Sequence, residues 1–333
     1  METTHQAQEQ TPERRSTPQL TLPSYVDSSL LSTWRSCRRK FFWSTLNSLY
    51  PTGKSVHLIA GGALAAGMEA ARRLAFSPRE GGRPTHDDLV RAAYRAYVVE
   101  WGDNPTFEGE AKAFENTFAA LVEYLLQHPP ETDIIQPLVR SASGTPAVEY
   151  TFSIPIEEGP RHPETGDPFL FAGRFDLLGS YAGLPCVVDE KTTYSIGYRW
   201  DDQWDLRGQF LGYVWACQHY GYDVQTAVIR GIGIQKTGIK IATSIKQYPQ
   251  YLIDRWYRLL LQDLNEIVRA YDMITHGRDV EPWFPYNFSD ACNAYGGCAY
   301  STLCQASDPE PFFSNYHHYR WNPLAKQPLE VET

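Results

Sequence analysis

Two acids and a lysine end an apolar run in "LPCVVDEKTTY", Leu184–Tyr194, and a further acid, Asp176, lies upstream in "FLFAGRFDLLGSY". Between them stand Ala182 and Gly183. Glycine supplies the positive φ that two-residue hairpin turns need. A turn there pairs Tyr181 with Leu184. Counting outward, it sets Asp176 beside Asp189 and Arg174 beside Lys191. Directly opposed residues have Cβ atoms about 4.5–5.5 Å apart. Strand periodicity puts Arg174 and Asp176 on one face, and Asp189 and Lys191 on one face, while Glu190 turns away. Two close carboxylates repel, and the pKa of one rises. A cation that prefers hard oxygen ligands, Mg²⁺ or Mn²⁺, relieves that repulsion. The Glu190 carbonyl is within reach of the same ion. The residues alone leave a second reading open: a surface acid pair balanced by Arg174 and Lys191, an arrangement that contributes little.

Further candidates lie outside this hairpin. In "RGQFLGY", Gln209 and Tyr213 are four residues apart, hence neighbours on a helical face. Alone, the pair carries little information. Cys292, Cys298 and Cys304 sit in "CNAYGGCAYSTLC", and Cys37 lies far upstream in "WRSCRRKFFW". Four thiolates can hold zinc or an iron–sulfur cluster. The tight C-x₂₋₄-C pairs usual for zinc are absent. Four unrelated buried cysteines are the other reading. Cys186 and Cys217 stand in apolar contexts and read as packing residues. Arg35, Arg38, Arg39 and Lys40 surround Cys37; they suit either a phosphate backbone or a solvated helix face.

The elements that must position these residues follow from periodicity. A helix is expected from Asp27 or Ser28 to about Tyr50, with Leu30, Trp34, Cys37 and Phe41 on one face. A small-residue helix follows over "HLIAGGALAAGMEAARRLAF". Thr85 caps a third, 86–101, and a fourth covers about 108–127. Five segments rich in β-branched and aromatic residues then read as strands. Helices at about 203–220 and 249–275 are interleaved with them or follow them. This order predicts a mixed α/β domain over residues 25–310, with a helical elaboration at 77–145. Residues 1–24 and 311–333 are expected to be tails, the first of them disordered.

Bulk properties narrow the class. The chain has 333 residues, 42% of them hydrophobic and 21% charged, as in ordinary globular proteins. A net charge of −9 argues against a surface coated in basic charge, though a local basic groove remains compatible. No run of eighteen apolar residues predicts a membrane span. The polar start has no secretory core, so a cytoplasmic location is expected.

"GRFD", "VVDEKTT" and "QFLGY", in that order, resemble the successive motifs of the PD-(D/E)XK nucleases, most closely the RecB-like branch. The resemblance implies a restriction-endonuclease-like core sheet flanked by helices. It implies that Asp176 and Asp189 bind a catalytic Mg²⁺ or Mn²⁺, that Lys191 activates water and offsets phosphate charge, and that Gln209 and Tyr213 support the site. Where the branch usually carries a metal-binding His, in G-x-x-x-H-x-x-x-E, this chain has Ala65. Glu69, one turn on, is the candidate substitute, with Glu149 and His57 behind it. The cysteine layout resembles RecB-like members such as AddB-type nucleases and the CRISPR adaptation nucleases. It implies a structural 4Fe–4S cluster on Cys37, Cys292, Cys298 and Cys304.

The function implied is DNA phosphodiester hydrolysis, as an exonuclease on single strands or duplex ends, in phage or bacterial recombination and repair. Recombination or replication proteins would be its partners. Arg38, Arg39 and Arg174 are the candidate DNA contacts. The alternative is a DNA-binding or assembly protein that keeps the fold without catalysis.

Overall fold

The computed structural model describes residues 20–53, 55–77, 82–138, 144–293, 297–320 and 322–324. The chain opens with β1 (Tyr25–Val26), α1 (Ser28–Ser36), α2 (Arg38–Phe41) and a π-helix (Phe42–Leu46), then β2 (Leu49–Pro51). Three helices follow: α3 (Val56–Phe76), α4 (His86–Trp101) and α5 (Phe114–Gln127). The strands are β3 (Ile135–Pro137), β4 (Val148–Pro155), β5 (Leu170–Tyr181) and β6 (Leu184–Thr193). After α6 (Gly208–His219) come β7 (Thr226–Gln235), β8 (Gly238–Gln247) and α7 (Gln250–Thr275), and the chain closes with α8 (Ser301–Gln305) and β9 (Tyr316–His318).

A seven-stranded mixed sheet organises the molecule, in the order β1-β5-β6-β7-β8, with β3 and β4 also pairing to β5. Among the described residues, only β1–β5 and β6–β7 are parallel. Strand alternation separates two apolar layers. Phe171, Phe175, Val187, Ala227 and Ile229 pack with α1, α6 and α7. Ile232 and Ile234 pack with α3, α4 and α5. This is the mixed α/β class the sequence predicts.

Local chemistry sets most boundaries. Asp27 caps α1, its Oδ1 accepting from Leu30 N at 2.7 Å, and Thr85 with Asp88 forms a capping box on α4. The single helix expected to reach Tyr50 does not form. Cys37 is extended, at φ −162° and ψ 107°, and ends α1. Its Sγ then caps α2 by accepting from Lys40 N at 3.4 Å. The helix expected from 108 begins at Phe114.

The expected tails are shorter than read from polarity. Residues 1–19 lie outside the described residues, but Leu22 is buried and the Ser24 carbonyl accepts from Leu170 N. At the other end β9 pairs with β2, and Tyr319 N donates to the Ser48 carbonyl. The first and last described segments meet, with Arg320 donating to Thr21 Oγ1. Residues 321 and 325–333 lie outside the described residues.

Candidate active site

The β5–β6 hairpin turns at Ala182 (φ 50°) and Gly183 (φ 81°), the two positive φ values of a type I′ turn. Pairing runs from Tyr181↔Leu184 to Leu177↔Val188 and stops there, one step short of the aspartates. Beyond that point β6 pairs only with β7 among the described residues. In place of a backbone pair, the Glu190 N–H donates to Asp176 Oδ2 at 2.8 Å. The two strands thus part where the acids begin, opening the end of the sheet.

Alternation also slips there, just past Asp176. In β5, Phe175 and Leu178 enter the same core, with Leu177 on the other side. At the start of β4, Ala147, just before the strand, and Tyr150 do likewise around Val148. The pairs Val148↔Leu177 and Tyr150↔Phe175 leave Glu149 and Asp176 between them. Glu149 sits at φ 51°, a costly conformation for a residue with a Cβ. The kink brings Glu149 and Asp176 to the same place as Asp189.

Asp189 is 2% exposed. Its Oδ1 accepts from Gln209 Nε2 at 3.0 Å, and the same amide donates to Tyr213 Oη at 3.1 Å. Its Oδ2 lies 2.5 Å from Lys191 Nζ as an ion pair but accepts no aligned hydrogen bond. Lys191 also faces the Phe210 ring. The site face of β6 therefore holds Asp189 and Lys191, with α6 delivering Gln209 and Tyr213.

Burial dominates the electrostatics. It raises the pKa of Asp176 well above the usual range, reinforced by the charges of Asp189, Glu149 and Glu190. It raises Asp189 as well, against the pull of Lys191. Glu149 is pushed up to about 7 by burial and by Glu69, with Arg174 opposing. Burial likewise keeps the Tyr213 phenol protonated far above its ordinary value. Glu190 is the exception: burial alone would raise it, but Arg72 and Tyr124 pull it down to about 2.

The other expected residues divide. Arg174 lies at the site, its Nε 2.8 Å from Glu149 Oε2. Glu69 turns to Arg73, at 2.8 Å, and influences Glu149 only through its charge. Arg39 is corrected as a DNA contact: it is buried against the Phe42 and Tyr286 rings. Arg38 pairs with Glu266 and covers Trp34. Residues that the sequence reading did not place at all are Arg72, Tyr124, Arg230 and Asp133, which hold Glu190 from behind. One signal for them was available: Arg230 interrupts the apolar strand "TAVIRGIGIQ".

A divalent ion fits the donor chemistry here. Hard carboxylate oxygens, one lacking an aligned donor, are held in a low-dielectric corner with raised proton affinity. Mg²⁺ binds through one or two carboxylates and keeps several waters. Among the described residues, no three His, Cys, Asp or Glu side chains close into a metal-holding group by themselves. The same holds for the cysteines, although all six are free. Cys298 N donates to the Cys292 carbonyl at 2.8 Å. Burial raises the Cys304 thiol, with Cys298 and Cys37 adding to the rise as near neighbours. The Cys37, Cys298 and Cys304 thiols are thus near neighbours, but among the described residues the cysteines do not form a ligand set.

A family model for the PD-(D/E)XK nuclease superfamily matches residues 28–305, and so spans every element from α1 to α8. The chain belongs to the PD-(D/E)XK nuclease superfamily. Membership carries the restriction-endonuclease-like fold and implies a nuclease that hydrolyses phosphodiester bonds, with DNA as substrate and Mg²⁺ or Mn²⁺ as the usual ion. No curated protein matches the chain. The solved structure "Crystal structure of SSO0001" matches at 14% identity and a TM-score of 0.28, over 76% of this chain and 98% of that one. Within the PD-(D/E)XK chain described here, no helix among the described residues is long and apolar enough to cross a membrane.

Proposed function

We propose that the protein is a metal-dependent DNA exonuclease of RecB-like type, acting on single strands or duplex ends during recombination or repair. The observation that carries the reading is the convergence of Asp176, Asp189, Lys191 and Gln209 where β5 and β6 part. When bound, a divalent ion supplies Lewis-acid charge and lowers the pKa of the attacking water. Asp176 and Asp189 would hold it, with Glu149 the nearest further carboxylate.

The chain's own residues supply the rest. Lys191, anchored on Asp189, directs a charged ammonium toward the reacting phosphate and orients water. Gln209 fixes the rotamer of Asp189 by donating to Oδ1. Tyr213 stays a neutral hydroxyl and holds Gln209. Arg174 offers a cation beside these acids for a strand phosphate. The fold-retaining, non-catalytic alternative draws on Ala65 alone, whereas the grouping of Asp176, Asp189 and Lys191 favours catalysis.

We also propose the 4Fe–4S cluster on Cys37, Cys292, Cys298 and Cys304, as a staple joining the two chain ends. The nearness of the Cys37, Cys298 and Cys304 thiols supports it. Anaerobically purified protein should contain iron and acid-labile sulfide at about four each per chain, and Cys304→Ser should lower both. Iron-free anaerobic protein would remove the cluster from the account. For the nuclease, the test is Mn²⁺-dependent degradation of end-labelled single- and double-stranded DNA. Mononucleotide release from ends supports the exonuclease, and no degradation contradicts it.

A further inference from the structure

The reaction uses one face of β6, yet the most elaborate buried polar network lies on the other. Glu190, its side chain 2% exposed, accepts at Oε1 from Tyr124 Oη at 2.7 Å and from Arg72 Nη2, and at Oε2 from Arg72 Nη1 at 3.2 Å. Arg72 Nη2 and Arg230 Nη1 each donate to Tyr124 Oη at 3.2 Å. Arg230 is fully buried and forks onto Asp133, Nη1 to Oδ2 at 2.5 Å and Nη2 to Oδ1 at 2.6 Å. Two carboxylates face two guanidiniums, so the network is balanced and leaves no charge for a substrate.

A buried network of this kind is weak evidence for stability, because well-packed apolar residues often serve as well or better. What it does supply is position. It ties α3, α5, β7 and the loop before β3 to the middle residue of the Asp189–Lys191 stretch. The peptide of that residue makes the 2.8 Å contact through which β6 holds Asp176. Without the network the Glu190 peptide would be held by the β6–β7 pairing alone, on the side of the strand away from Asp176.

We propose that Arg72, Tyr124, Arg230 and Asp133 are positioning residues, which fix the Glu190 peptide and through it the spacing of the two metal-binding aspartates. The proposal rests on the nuclease reading above and adds residues that touch neither metal nor DNA. Groups that orient metal ligands from behind typically change metal affinity by about 10–100-fold when removed.

The test is Mn²⁺ binding to the full chain without DNA, followed by electron paramagnetic resonance and titration calorimetry. Tyr124→Phe deletes one hydroxyl and keeps the ring; Glu190→Gln removes the charge that Arg72 grips. An Asp176→Asn/Asp189→Asn variant defines binding elsewhere on the chain. The expected result is a Mn²⁺ dissociation constant raised about tenfold or more in Tyr124→Phe, with an altered resonance spectrum. Wild-type affinity and spectrum in Tyr124→Phe, whatever its melting temperature, would overturn the proposal while leaving the nuclease reading intact. Absence of site-specific Mn²⁺ binding in the wild type would overturn both.

Discussion

Gln209 Nε2 lies 3.0 Å from Asp189 Oδ1, so α6 reaches across the opened end of the sheet to hold the central carboxylate. The same nitrogen lies 3.1 Å from Tyr213 Oη. One amide therefore fixes Asp189 and is itself fixed one turn along the same helix. The spacing of four residues matters because it stacks both side chains on one helical face.

Gln209→Ala should lower DNA hydrolysis by about 10–100-fold through looser metal binding. The loss should shrink at high Mn²⁺, since the ligand itself remains. Rates measured across a Mn²⁺ titration check this. A loss unaffected by Mn²⁺ would assign Gln209 to substrate instead.

The raised carboxyls make stability pH-dependent in a defined direction. Glu149 ionises near 7 in the fold, against about 4.5 when unfolded, and Asp176 and Asp189 are shifted the same way. A carboxyl raised by folding keeps a proton that the unfolded chain has released. Its stabilisation is complete below the unfolded value and is lost as pH rises through the folded one. Metal-free protein in chelator should therefore melt at a lower temperature at pH 7.5 than at pH 5. Glu190, at about 2, exerts its opposite effect below pH 4.5 and does not enter this window. Added Mg²⁺ should stabilise more at pH 7.5 than at pH 5, and Glu149→Gln should flatten the metal-free slope.

The glycine of "GRFD" has a packing reason. A Cβ at Gly173 would stand 2.6 Å from Phe152 Cζ and 3.4 Å from Tyr213 Cε1. Gly173→Ala should cost about 1–3 kcal/mol, as overpacking usually does. It should also disturb activity, because the displaced Phe152 ring packs edge-on against Tyr213. Thermal melts and hydrolysis rates on the same sample measure both.

Much of this site was legible from residue order. The Ala182–Gly183 turn sets the hairpin register as far as Leu177↔Val188, one step short of the two aspartates. Helical spacing places Gln209 and Tyr213 together. The Glu149 kink was not legible, because positive φ at a glutamate arises from tertiary fit and leaves no local signature. The interruption at Cys37 was hidden by a helical apolar pattern that continues through it. Arg39 reads as a surface cation by type, yet aromatic rings on the same chain enclose it. The network behind Glu190 joins residues up to 158 positions apart, Arg72 to Arg230, a separation that single-strand or single-helix patterns do not report.

Lys191→Ala tests the central claim most directly. Its Nζ, 2.5 Å from Asp189 Oδ2, is the cation proposed above to act on water and phosphate. Mn²⁺-dependent degradation of end-labelled DNA should fall by about 10²–10³-fold or more, while Mn²⁺ still binds at Asp176 and Asp189. Degradation at the wild-type rate by purified Lys191→Ala protein would contradict the account.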